Sequence, residues 1–142
     1  MNKATLAFTS ITALLMANAV PVLAADKTTV NARGETELAK MLAGRVAGKP
    51  VDCISLINTR DTTVIDGTAI VYDTGSVLYV NRPAYPESLS SDQVLITKTW
   101  TDQLCRMDTV RLRDRGTMMY DGFVGLSDFV PYTKAPKTAD AR

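Results

Sequence analysis

The sequence predicts an α+β domain: one N-terminal helix packed on an antiparallel sheet of about five to six strands, closed by one disulfide. Three observations carry that expectation. A single stretch with helical periodicity stands at the head of the folded part. Behind it come short β-branched and aromatic runs separated by Gly, Pro, Ser and Asp. The chain holds 2 cysteines, and its N-terminus has the order of an export leader.

The leader is read from three zones. Asn2 and Lys3 make a short positive start, Ala4 to Val20 is apolar or small, and Pro21 is followed by Val22-Leu23-Ala24. That is the order of a signal peptide, with cleavage near Ala24. Thr9, Ser10, Thr12 and Asn18 interrupt the apolar run, whereas a permanent anchor takes about twenty solidly apolar residues. The expected organisation is therefore a signal peptide over 1–24 and a flexible lead-in over 25–33. A single globular domain over 34–133 and a flexible tail over 134–142 follow. The expected location is the periplasm or the medium, with no membrane span once the leader is gone.

Within the domain, Glu35 to Val46 is the helix. Leu38, Met41, Leu42 and Arg45 or Val46 recur at three-to-four spacing, so one stripe can face a core. Glu35 and Glu37 near its start and Arg45 near its end complement the helix dipole. Thr36 or Gly34 opens it, and Gly48 with Pro50 stops it. Strands are expected over Val51 to Ile57, Thr63 to Tyr72 and Val77 to Asn81, with Asp73-Thr74-Gly75-Ser76 as a hairpin link. Arg82 to Asp92, with Pro83, Pro86 and several serines, reads as a loop. Val94 to Trp100 and Leu104 to Leu112 read as further strands, and Met118 to Tyr120 as a short one. Phe123 to Tyr132 is apolar but broken by glycines and Pro131, which reads as a packed irregular segment.

Cys53 and Cys105 are expected to form a structural disulfide. An even count in an exported chain favours one, and the spacing is far too long for a redox Cys-x-x-Cys pair. Closing a loop of about fifty residues stabilises a fold by roughly 4 kcal/mol in the chain-entropy picture.

Charge and chemistry exclude more than they assign. The leader carries Lys3 away, so 15 basic side chains face 15 acidic ones and the exported part is neutral. A nucleic-acid binder normally shows a basic surplus, so no nucleic acid is expected as partner. The chain has 0 histidines, which removes Ser-His-Asp and Cys-His catalysis and every His-containing metal site. No nucleophile elbow, phosphate loop or dinucleotide fingerprint occurs. The sequence calls for no cofactor and no metal, and its balance is against an enzyme.

Three residue sets remain. Asp66, Asp73, Asp108, Asp114 and Asp121 are the carboxylates that a glycosidase-like pair would draw on, although Asp66 and Asp121 precede glycines as turn aspartates do. Ser55 lies in an apolar strand with no lysine to activate it, and reads as a core hydroxyl. Arg111, Arg113 and Arg115 alternate, so in a strand they share one face. Such a row could hold a phosphate, a sugar acid or an acidic partner, but the favoured reading is a solvated face with Val110 and Leu112 turned inward and Asp108 and Asp114 as nearby counter-charges.

The runs Ala47-Gly48-Lys49-Pro50-Val51-Asp52-Cys53-Ile54-Ser55-Leu56 and Ile65-Asp66-Gly67-Thr68-Ala69-Ile70-Val71-Tyr72 go together with Leu78-Tyr79-Val80-Asn81-Arg82-Pro83. Gln103-Leu104-Cys105 and Gly122-Phe123-Val124-Gly125-Leu126-Ser127-Asp128-Phe129-Val130-Pro131-Tyr132 complete the set. In these the chain resembles a family of small exported bacterial proteins of unknown function with a two-cysteine core. The resemblance implies a leader, a cysteine pair and a compact domain, and transfers no catalytic residue. The reading that follows is a non-enzymatic periplasmic binding or envelope-interaction module, including an inhibitor that presents the Arg82–Asp92 loop to a hydrolase. Its partner would be an envelope protein or a small ligand. The alternative is a carboxylate-dependent hydrolase acting on envelope glycans.

Overall fold

The computed structural model describes residues 31–136; the expected leader, most of the lead-in and most of the tail lie outside the described residues. Among the described residues one α-helix, α1 (Ala32–Met41), precedes ten strands. These are β1 (Arg45–Ala47), β2 (Cys53–Ser55), β3 (Asp61–Ile65), β4 (Ala69–Asp73), β5 (Val77–Asn81), β6 (Gln93–Thr97), β7 (Gln103–Cys105), β8 (Thr109–Asp114), β9 (Tyr120–Gly125) and β10 (Phe129–Lys134). All pair antiparallel, in three sheets: β1-β10-β5-β4-β3, the ribbon β2-β7, and β6-β8-β9. The α+β class, the single helix and the Cys53–Cys105 disulfide stand. The expected single sheet of five to six strands is corrected to ten strands in three sheets.

The layers follow from strand alternation. In β4, Ile70 and Tyr72 enter one core, while Ala69 and Val71 enter a second on the opposite face. A strand buried on both faces reads as an unbroken apolar run, which is why Ala69 to Tyr72 lacks polar alternation. The first core holds Ile54 and Leu104 of the ribbon, Val110, Leu112 and Val124 of the three-stranded sheet, and Phe129 of β10. The second is closed by Leu38 of α1 over Ile65, Leu78 and Val80. The five-stranded sheet is thus the middle layer, with α1 on one side and the two smaller sheets on the other.

The helix opens at Ala32, earlier than expected, because Asn31 caps it. The Asn31 side chain accepts from the Gly34 N–H and donates from Nδ2 to the Asp66 carbonyl. It closes near Leu42, and Gly44 at φ +72° turns the chain, a conformation glycine adopts without cost. Arg45 and Val46 consequently belong to β1, where Val46 is 53% exposed, and not to the buried stripe.

Three expected segments divide. Thr63 to Tyr72 is a hairpin, β3–β4, turning at Asp66-Gly67-Thr68, where Thr68 N–H donates to the Ile65 carbonyl. Leu104 to Leu112 is two strands separated by Met107, whose φ is +72°. Phe123 to Tyr132 is the end of β9 and the start of β10, with only residues 126–128 irregular between them. Gly122 at φ +118° lies in a bulge that realigns β9 on β8, and Pro131 sits in β10 opposite Gly48, just past the end of β1. A proline costs a ladder bond there, but β1 has already ended. The expected β4–β5 hairpin over Asp73–Val77 is present, with Thr74 N–H donating to the Val77 carbonyl.

Candidate functional site

The outward face of β6-β8-β9 follows from its register. Val110, Leu112 and Val124 point into the core, so the residues between them point out. Ile96, Arg111 and Phe123 form one cross-strand row, and Val94, Arg113 and Tyr120 form the next. Phe123 is 63% and Tyr120 62% exposed, with Met118 and Met119 exposed beside them. Neither row contains a carboxylate. Among the described residues Arg111 and Arg113 make no ion pair, and Arg113 donates only to the Met118 carbonyl. Two unneutralised guanidinium groups set among exposed aromatic and aliphatic side chains match the composition of interface centres.

Arg115 does not complete the row. It lies past the end of β8, and its guanidinium turns to the Ser91 and Gln93 carbonyls. There it borders a cleft of about 280 Å³ between the edge strands β3 and β6, with Val64, Leu95 and Tyr72 on its walls. The Tyr72 ring packs edge-on against Phe129, and burial pushes its phenol well above the usual tyrosine range.

The five aspartates are dispersed and each is engaged by nearby groups. Asp66 accepts from the Ser91 N–H, Asp73 from Gly75, and Asp108 from Cys105. Asp114 accepts from the Thr117 N–H, the Thr117 hydroxyl and the Gly116 N–H, which hold its carboxyl below the ordinary range. Asp121 is not a turn residue: it stands in β9 and accepts from Nε2 of the buried Gln93. Asp61 and Asp73 do face each other across β3 and β4, but Asp61 accepts from Thr62 N–H and neither borders one of the clefts described here. No cluster of three metal-ligating side chains occurs among the described residues.

The Arg82–Asp92 loop is pinned along its length. Leu89 is buried and its carbonyl accepts from Gly67 N–H, while Gln93 holds Ser88 and Ser90. Arg82 forms a two-bond pair with Glu35 on α1. Tyr85 at its tip is 69% exposed next to Pro86. No helix among the described residues is long and apolar enough to cross a membrane.

Cys53 and Cys105 are directly opposed in the β2–β7 ribbon and bonded. Ser55, two residues on, borders a cleft of about 480 Å³, together with Arg60 and the β4–β5 turn. Nothing local in the sequence singles out Arg60, because its setting exists only once β2 and that turn come together. Set beside protein-family models, curated proteins and solved structures, the chain matches none of them.

Proposed function

We propose that this is an exported, non-enzymatic interaction module of the cell envelope, and that its contact face is the outer surface of β6-β8-β9. The observation that carries the reading is the pair of cross-strand rows in which Arg111 and Arg113 alternate with Ile96, Phe123, Val94 and Tyr120 and no carboxylate. Such a face favours an acidic partner surface bearing an apolar patch, since each guanidinium is left for an external carboxylate. The leader-like residues 1–24 and the resemblance to small exported bacterial proteins support the periplasmic or secreted placement. The hydrogen bonds made by Asp66, Asp73, Asp108, Asp114 and Asp121 weigh against the hydrolase alternative.

The test is a crosslinking capture from envelope extract with wild-type protein and with Arg111→Glu/Arg113→Glu. One dominant partner that is lost in the variant and weakened at high salt is the expected result. Crosslinks that persist in the variant and map to Tyr85 would move the contact to the loop and favour the hydrolase-inhibitor form. Turnover of a glycan or ester substrate by the purified protein would overturn the non-enzymatic reading altogether.

A further inference from the structure

We infer that the cleft between β2 and the β4–β5 turn is a binding site for a small carboxylate-bearing sugar, a sugar acid, with Arg60 as the group that takes the carboxylate. The cleft encloses about 480 Å³, within the range of about 300–1,000 Å³ that small-molecule sites occupy. Arg60 is the one charged residue on its walls; the polar remainder is Ser55, Asn58, Thr74, Ser76 and Tyr79.

The arginine is anchored through its backbone, and its side chain is exposed. Its backbone N–H donates to the Asp73 carbonyl, which ties it to β4. Its guanidinium lies against Gly75, where a Cβ would stand 2.7 Å from Nη1 and 2.9 Å from Cζ. Gly75 also has φ +90°, a conformation that favours glycine, and a Cβ there would displace the guanidinium tip. Among the described residues Arg60 makes no ion pair. The nearby carboxylates of Asp61 and Asp73 accept from the Thr62 and Gly75 N–H groups.

The rest of the wall suits a polyhydroxylated ring. Among the described residues, the Ser55 and Ser76 hydroxyls and the Asn58 amide make no side-chain hydrogen bond. Thr74 donates to the Val77 carbonyl and keeps its lone pairs to accept. The half-buried Tyr79 offers a ring to an apolar sugar face. A planar guanidinium matches a carboxylate with two parallel bonds, and neutral hydroxyl and amide groups match sugar hydroxyls. Phosphate shares the charge but not the hydroxyls. None of these residues belongs to the β6-β8-β9 face, so the inference stands apart from the proposed contact surface.

The test is an NMR titration of the oxidised protein with glucuronate, with glucose and with inorganic phosphate. Glucuronate should produce saturable shifts at the amides of Ser55, Asn58, Gly75 and Ser76. Arg60→Ala should weaken it at least about tenfold with the rest of the spectrum unchanged, and Arg60→Lys should fall between, as expected for a lost fork with a retained charge. Equal binding of glucose would remove the role of the carboxylate, and phosphate binding as tightly as glucuronate would remove the sugar. Absence of shifts, or unchanged affinity in Arg60→Ala, would overturn the site.

Discussion

Glu35 and Arg82 stand 47 positions apart and meet as a two-bond pair joining the helix to the start of the 82–92 loop. The hydrogen bonds from Arg82 hold the Glu35 carboxyl below its ordinary value. A carboxyl depressed in the folded state contributes stability above its unfolded value, near pH 4.3, and loses it as pH falls through the folded value. Asp114 is depressed by Thr117 in the same direction. Glu35→Gln should therefore leave the melting temperature close to wild type at the acid end, once Glu35 is protonated in the folded state too, and lower it slightly at pH 7. The acid limb of a melting-temperature profile over pH 2–7 should flatten, and high salt should shrink the difference because the pair is solvent-exposed. An acid limb of unchanged slope would show the pair to be energetically silent. The sequence reveals both charges but not their pairing, since nothing local links position 35 to position 82. The arginines show the same limit. Alternation correctly places Arg111 and Arg113 on one face, but Arg115 lies beyond the strand, and the end of β8 sets that boundary.

Helix α1 is seated by its glycine. Gly34 is buried, and a Cβ there would lie 1.9 Å from Oγ1 of Thr68 and 2.7 Å from the Asp66 carbonyl. Helix propensity alone makes Gly34→Ala stabilising by about 1 kcal/mol. Packing opposes it, since forcing extra volume into a tight contact typically costs about 1–3 kcal/mol. The contact is backbone against turn, so packing wins, and urea denaturation should show a net loss of stability. Thr68→Ala in the same chain should return part of it, whereas a stabilised Gly34→Ala would mean that the helix rides free of the β3–β4 turn. This contact also shows where local sequence signals stop. Leu38 announces the buried stripe by its period, but Gly34 looks like a helix boundary because the turn it packs on is more than thirty residues away. Pro131 and the glycines of β9 misled in the same way: each breaks a strand locally, yet β8 and β5 supply pairing that accommodates them. The β4–β5 hairpin, whose signal is entirely local, was legible as written.

At the scale of the whole molecule, the five-stranded sheet depends on two unlike partners. On one face α1 covers Ile65, Val71 and Leu78. On the other, the three-stranded sheet and the ribbon close over Ile70, Tyr72 and Phe129. The ribbon is the slightest element, with three residues in each strand, and an isolated two-stranded pairing is at best marginal in water. Two things hold it: Ile54 and Leu104 buried in the common core, and the Cys53–Cys105 bond spanning 52 positions. The bond's contribution lies mainly in the unfolded chain, where it closes a long loop. Cys53→Ser/Cys105→Ser should accordingly cost roughly 4 kcal/mol, a large part of the 5–15 kcal/mol typical of a domain. In urea this should appear as a lower midpoint, and hydrogen exchange should accelerate first at Ile54 and Leu104. Ser55 stands at the end of β2 and borders the Arg60 cleft, so the same variant should weaken any ligand held there before the domain as a whole unfolds. If the unfolding free energy fell by less than about 1 kcal/mol, the packing of Ile54 and Leu104 would be holding the ribbon without the bond. Ligand binding in the cleft would then be insensitive to reduction.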